Sequence, residues 1–247
     1  MKKIAFYGKG GIGKSTTVSN VASALVKLGY RVFQIGCDPK SDSTIHHNGG
    51  QRVETVLSAM RKGSVEETAI VHVGEDGVYL MEAGGPPPGT GCAGRGIITA
   101  FEKIKELRIY EKYEPDFVLF DVLGDVVCGG FAMPIRSGYA DELYVVTSGE
   151  MMSLYAANNI VEAVRGQSSL GYAKLKGLIL NRKNIDNEEA LAARAAAEMG
   201  TEIAFVLPRA AIVQEAESRH QTVVSAFPES EMSDAYLRLA ERIAHGG

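Results

Sequence analysis

Two kinds of chemistry are written into this chain. Near its start, Gly8-Lys-Gly-Gly-Ile-Gly-Lys-Ser15 has the composition of a loop that wraps phosphate. Further on, two cysteines sit in glycine-rich settings: Cys92 in Thr-Gly-Cys-Ala-Gly-Arg-Gly and Cys128 in Gly-Asp-Val-Val-Cys-Gly-Gly. Nucleotide hydrolysis needs no thiol, and two isolated thiols are half of a four-thiolate iron–sulfur site. An ATPase with half a ligand set points to a dimer that couples ATP to electron transfer. Cys92 and Cys128 stand 36 residues apart, a spacing that fits neither a zinc ribbon nor a ferredoxin. Glycines around each suit close approach of backbone N–H groups to cluster sulfides, and the helical segment after each brings a positive dipole end.

The loop matches the Walker A pattern Gly8-x-x-x-x-Gly13-Lys14-Ser15, with a strand before it and a helix starting at Lys14. Its backbone, Gly8, Lys9, Gly10, Gly11, Ile12, Gly13, Lys14, Ser15 and Thr16, is the expected cradle for the phosphates of MgATP. There Lys14 would face the β- and γ-phosphates and Ser15 would ligate magnesium. Asp121 ends the apolar run Phe117-Val-Leu-Phe-Asp-Val122 and is followed by Gly124, as a Walker B aspartate leading into switch II; a hard cation wants such an oxygen ligand. Cys37-Asp38-Pro39-Lys40-Ser41-Asp42 reads as switch I. Asp38 is the preferred residue for activating the attacking water, with Asp125 as competitor, and each also suits a turn.

The elements that must carry these groups alternate. Strands are expected at Lys2–Tyr7, Arg31–Ile35, Gly77–Glu82, Asp116–Val122, Leu143–Thr147, Lys176–Leu180 and Ile203–Leu207. Amphipathic helices are expected near Lys14–Leu28, Val53–Lys62, Gly96–Leu107, Glu150–Arg165, Asn187–Met199 and Ser233–Ala244. Nearly continuous apolar strands between helices predict a doubly wound α/β fold, with a mainly parallel sheet and helices on both faces. No linker or repeat divides the 247 residues, so residues 1–247 are read as one domain, with Gly84–Gly91 a rigid surface loop.

Composition excludes several classes. The 30 acidic and 26 basic residues give a net charge of −4, no footprint for nucleic acid. No apolar run is long enough to span a membrane. Three cysteines without a CxxC pair or a leader argue for a reducing cytoplasm rather than a disulfide scaffold. The missing CxxC also separates the chain from iron–sulfur scaffold ATPases. A positioning ATPase is the competing class, but the mixed charge of the last helix suits packing better than a membrane face.

The Lys-Gly-Gly-x-Gly-Lys loop resembles the deviant Walker A class of dimeric ATPases, which includes the MinD and ParA proteins and the nitrogenase iron protein. In that class the earlier lysine, here Lys9, reaches the partner's nucleotide. The resemblance narrows with Tyr7–Thr17, Gly36–Thr44, Gly91–Ile97, Asp121–Pro134 and Gly149–Asn159, which are similar to nitrogenase iron protein motifs in the same order. It implies a homodimeric ATP-dependent reductase with one 4Fe-4S cluster between subunits, ligated by Cys92 and Cys128, with Cys37 a non-ligand. It implies that Arg95 lies in the docking face and matches an arginine ADP-ribosylated in some members. It also implies that Asn181, Pro208, Arg209, Gln214 and Glu217 contact adenine and ribose. Partners would be a nitrogenase-like catalytic component and a low-potential donor such as ferredoxin or flavodoxin.

Two departures shape the expected acceptor. Dinitrogen-reducing members continue past the equivalent of Ile243 in a tail, whereas this chain stops at Gly247. After Ser43-Thr44 it has Ile-His-His-Asn-Gly-Gly, where those members carry a basic residue and a longer segment. Both predict a relative serving tetrapyrrole reduction, as in coenzyme F430 or chlorophyll synthesis, or methylthio-alkane reduction. His46 and His47 are read as loop residues.

Overall fold

The computed structural model describes residues 1–63, 65–86, 93–124, 139–165 and 173–246. Its strands are β1 (Lys2–Tyr7), β2 (Val32–Cys37), β3 (His72–Val73), β4 (Tyr79–Glu82), β5 (Phe117–Val122), β6 (Glu142–Thr147), β7 (Lys174–Asn181) and β8 (Ile203–Leu207). They form one sheet in the order β3-β4-β2-β5-β1-β6-β7-β8. Every pairing is parallel except β3 with β4.

The period-2 geometry of the strands splits the apolar residues into two cores. Ala5, Tyr7, Phe33, Ile35, Val118 and Phe120 face one side, with the helices Ala93–Glu106, Met151–Arg165 and Glu188–Glu198 packed on them. Ile4, Phe6, Val32, Leu119 and Tyr144 face the other, covered by Lys14–Lys27, Ile212–Ser218 and Glu231–His245. Strands buried on both faces need no polar alternation, which is why their sequences read as continuous apolar runs.

β1 and β5 run side by side, with Phe6 level with Asp121. The chain leaves β1 toward β2 on one side, while β6 lies on the other. Ligands of doubly wound sheets bind at such a reversal, outside the carboxyl ends of the strands. The phosphate loop and the segments after β2 and β5 all emerge there.

Seven strands fall where the sequence places them. The eighth, β3, was not foreseen: two residues cannot show a period. The short helices Glu67–Ile70, Ile109–Tyr113, Ile212–Ser218 and Val223–Ala226 likewise have too few turns to display helical spacing. Ile45–His47 is a 3₁₀ turn rather than plain loop, and His47 is buried in it. Most of the Gly84–Gly91 loop lies outside the described residues. Among the described residues, no helix is long and apolar enough to cross a membrane.

Candidate functional site

The turn from β1 into the helix Lys14–Lys27 depends on Gly13. Its φ of 91° is left-handed, and a Cβ there would stand 2.5 Å from Asn181 Nδ2. Asn181 in turn donates from Nδ2 to Ile12 O at 2.8 Å, so the end of β7 holds the loop from behind. The helix has no acidic residue in its first turn. Its free N–H groups and positive dipole end therefore face the cavity uncompensated, as an anion site requires.

Asp121 reaches the same place from β5 and is only 2% exposed. Lys14 Nζ contacts Asp121 Oδ1, and Ser43 donates from its hydroxyl to Asp121 Oδ2 at 2.7 Å. Behind them, Gly124 approaches Gly8 so closely that a Cβ on Gly124 would lie 2.0 Å from Gly8 O. A cation at a helix N-terminus, a buried carboxylate one strand over and backbone cradled without side chains form a donor set that fits a magnesium–nucleotide complex.

A cavity of about 440 Å³ opens from the loop, within the range of small-molecule sites. Lys9, Gly10, Gly11, Gly13, Lys14, Ser15 and Thr16 line it. Asn181, Pro208, Arg209, Gln214 and Glu217 line it as well, so five residues scattered over the last third of the chain share a cavity with the phosphate loop. Thr16 closes the wall by donating to Glu217 Oε1 at 2.6 Å. Gly8 and Ile12 are buried beneath the loop. Lys40, Lys183 and Tyr236 also line the cavity and were missed, because no motif marks them.

Asp38 lies on the cavity wall. Its carboxylate accepts the Lys40 N–H at 2.9 Å, the Asx turn that its position before Pro39 permits. The segment that follows β2 is anchored below by Glu82, the last residue of β4. Glu82 Oε1 accepts from the Thr44 N–H and hydroxyl, both at 2.9 Å, while Oε2 is buried without a partner. Burial pushes the Glu82 carboxyl up to about 8, helped by the charges of Asp121 and Asp42 and opposed by the Thr44 hydrogen bonds. A proton on Glu82 therefore belongs to the folded state.

That proton has a measurable sign. Because the folded value lies above the unfolded one, stability is full below about 4.5 and is lost as pH rises through about 8. Glu82→Gln mimics the protonated acid and should remove a loss on the order of a few kcal/mol. Urea unfolding at pH values spanning that window measures it; equal slopes in parent and variant would refute the assignment.

Cys37 is buried at the end of β2 beside this network. Burial, then the charges of Asp121 and Glu82, push its thiol well above the usual range. Arg95 is exposed on the first turn of the helix Ala93–Glu106. Cys92, Cys128 and Asp125 lie outside the described residues.

Residues 2–246 match the family described as 4Fe-4S iron sulfur cluster binding proteins, NifH/frxC family. The chain belongs to that family. It is 50% identical over 248 residues to the nitrogenase iron protein of Methanospirillum hungatei JF-1, covering 98% of this chain and 88% of that protein. Among solved structures it is similar to the cell division ATPase MinD of Pyrococcus furiosus, with a TM-score of 0.76 and 21% identity over 100% of this chain and 99% of that one. A ParA family ATPase from Chlorobium tepidum TLS aligns with a TM-score of 0.73 and 18% identity over 98% of both chains. At those identities the two structures share the fold alone. Members of the NifH/frxC family are ATP-hydrolysing, homodimeric electron-transfer components that bind MgATP and a 4Fe-4S cluster and deliver electrons to a catalytic partner.

Proposed function

We propose that two copies of this chain bind MgATP in the cavities around Lys14 and Asp121 and share one 4Fe-4S cluster through Cys92 and Cys128 of each. Electrons enter from a ferredoxin or flavodoxin and leave to a nitrogenase-like catalytic component. The observation that carries the reading is the convergence of the phosphate loop and the five expected base-side residues on one cavity, with Asp121 buried behind it against Lys14. When bound, the cluster supplies a low-potential one-electron carrier.

In this reading Lys14 compensates charge on the β- and γ-phosphates, Ser15 and Asp121 hold magnesium, and Asp38 or Asp125 orients the attacking water. Lys9 is exposed at the mouth of the cavity, free to serve a nucleotide on the partner subunit. Lys9→Ala should bind ATP normally but hydrolyse it roughly 10²-fold more slowly, the size of losing one transition-state donor. Steady-state hydrolysis beside equilibrium binding tests this; a parental turnover would remove the lysine from the mechanism. Arg95, exposed beside the Cys92 loop, belongs to the docking face.

For the acceptor, we favour a tetrapyrrole or methylthio-alkane reductase over dinitrogenase. What supports this is the Ile45–Gly50 segment, which turns inward on His47 instead of presenting a basic side chain. The name of the M. hungatei relative favours the second reading, a donor to dinitrogenase. Anaerobic pull-down separates them: recovery of a dinitrogenase component that reduces acetylene with this chain would overturn the first.

A further inference from the structure

Behind switch I runs a chain of buried polar groups that no part of the nucleotide cavity uses directly. His47, 1% exposed, approaches Asp76 Oδ2 through Nδ1 at 2.7 Å and Gln34 Oε1 through Nε2 at 2.9 Å. Gln34 is wholly buried in β2, and its orientation is fixed, because Nε2 donates to the carbonyl of Ser43 at 2.8 Å. Its Oε1 must then face His47 as an acceptor. Asp76 also accepts from the Ser23 hydroxyl. An imidazole between two acceptors has to donate from both nitrogens, which makes it an imidazolium.

The direction of the remaining bonds follows. Gln34 Nε2 also lies 3.0 Å from both Ser43 Oγ and Ser19 Oγ, so its second proton is shared between two hydroxyls. Ser43 gives its own single proton to Asp121 Oδ2 and therefore accepts from Gln34. One branch of the network thus runs from His47 through Gln34 and Ser43 to Asp121, and low-dielectric surroundings strengthen it.

We propose that His47, held as an imidazolium by Asp76, is a positioning residue that fixes the orientation and charge of Asp121 through Gln34 and Ser43, and so sets the affinity of the site for magnesium. The inference rests on the reading of Asp121 as a magnesium group. Outer-shell partners of metal ligands are worth about 10–100-fold in metal affinity. Two further titratable groups, His46 and Glu75, line the small cavity beside His47 and Asp76. Asp76 itself, which burial alone would raise, is held below its usual range by its hydrogen bond and charge contact with His47 and by the Ser23 and Val78 donors.

The test is the magnesium concentration that half-saturates ATP hydrolysis by the intact dimer. His47→Gln can serve only one of the two acceptors and should raise that concentration roughly tenfold. Ser43→Ala, cutting the chain in the middle, should do the same, and the double variant should be no worse than either single one. Nitrogen-15 NMR of the parental protein gives a reading independent of any variant: both ring nitrogens of His47 should carry protons. An unprotonated ring nitrogen near neutrality, a parental magnesium requirement in His47→Gln, or additive effects would each overturn the proposal. Asp121→Asn separates the two failures. If it shifts the requirement and His47→Gln does not, only the relay falls; if Asp121→Asn leaves it unchanged, the magnesium reading falls as well.

Discussion

Lys14→Ala should abolish MgATP binding and also loosen the fold around β5. The first effect follows from removing the only lysine at the helix start, where the β- and γ-phosphates would sit. The second follows from what the lysine touches. Lys14 and Asp121 pair with side-chain exposures of 10% and 2%, so truncation leaves a buried carboxylate with Ser43 as its one remaining side-chain donor among the described residues. Breaking a buried ion pair from one side costs about 3–5 kcal/mol. Combining Lys14→Ala with Asp121→Asn removes the orphaned charge, so stability should return while nucleotide binding stays lost. Urea unfolding and a nucleotide titration on the parent and these two variants separate the effects. Lys14→Ala that binds MgATP with parental affinity would displace the lysine from the phosphate site.

Cys92→Ala and Cys128→Ala should each lose all bound iron, whereas Cys37→Ala should keep it. A cluster shared across a two-fold axis takes each cysteine twice, so one substitution removes two of four thiolates. Cys37 cannot substitute. It is fully buried beside Asp121 and Glu82, and burial together with those charges holds it as a thiol, while iron needs the thiolate. Iron content and visible absorbance of anaerobically purified protein decide the matter. A full complement of iron in Cys92→Ala would end the shared-cluster arrangement.

What the sequence made legible was whatever repeats or clusters locally. β1 and β8 have the bounds that their apolar runs predict, because a strand covered on both faces is written in consecutive residues. The phosphate loop is legible for the same reason: its glycines, lysines and serine are neighbours. The base-side residues Asn181, Pro208, Arg209, Gln214 and Glu217 were accessible only through resemblance, since nothing in Pro208-Arg209 alone speaks of a nucleotide. The hidden part is the polar network. Gln34 sits in an otherwise apolar strand, His47 in a glycine-flanked segment and Asp76 in a turn. Each looks ordinary singly, and only folding brings the three within hydrogen-bond distance. Glu82 is similar: one acid closing a four-residue strand gave no sign that Thr44, 38 residues earlier, would hold it.

The wall of the nucleotide cavity joins distant parts of the chain. Lys14 meets Asp121 across 107 residues, Asn181 reaches back 169 residues to Ile12, and Thr16 meets Glu217 across 201. Contacts of such span are made late and slowly, because a long loop must close before any of them is gained. On the ribosome, the phosphate loop emerges well before Asp121 and the base wall, and does not have both until the chain as far as Glu217 has followed. ATP therefore cannot act as an early template for folding. It is a late ligand, binding the finished α/β unit and adding its binding energy to the native state alone. A lesion in the helix Glu231–His245, which supplies Tyr236 to the cavity wall, would then register in cells as weakened nucleotide binding before it registers as an unfolded protein.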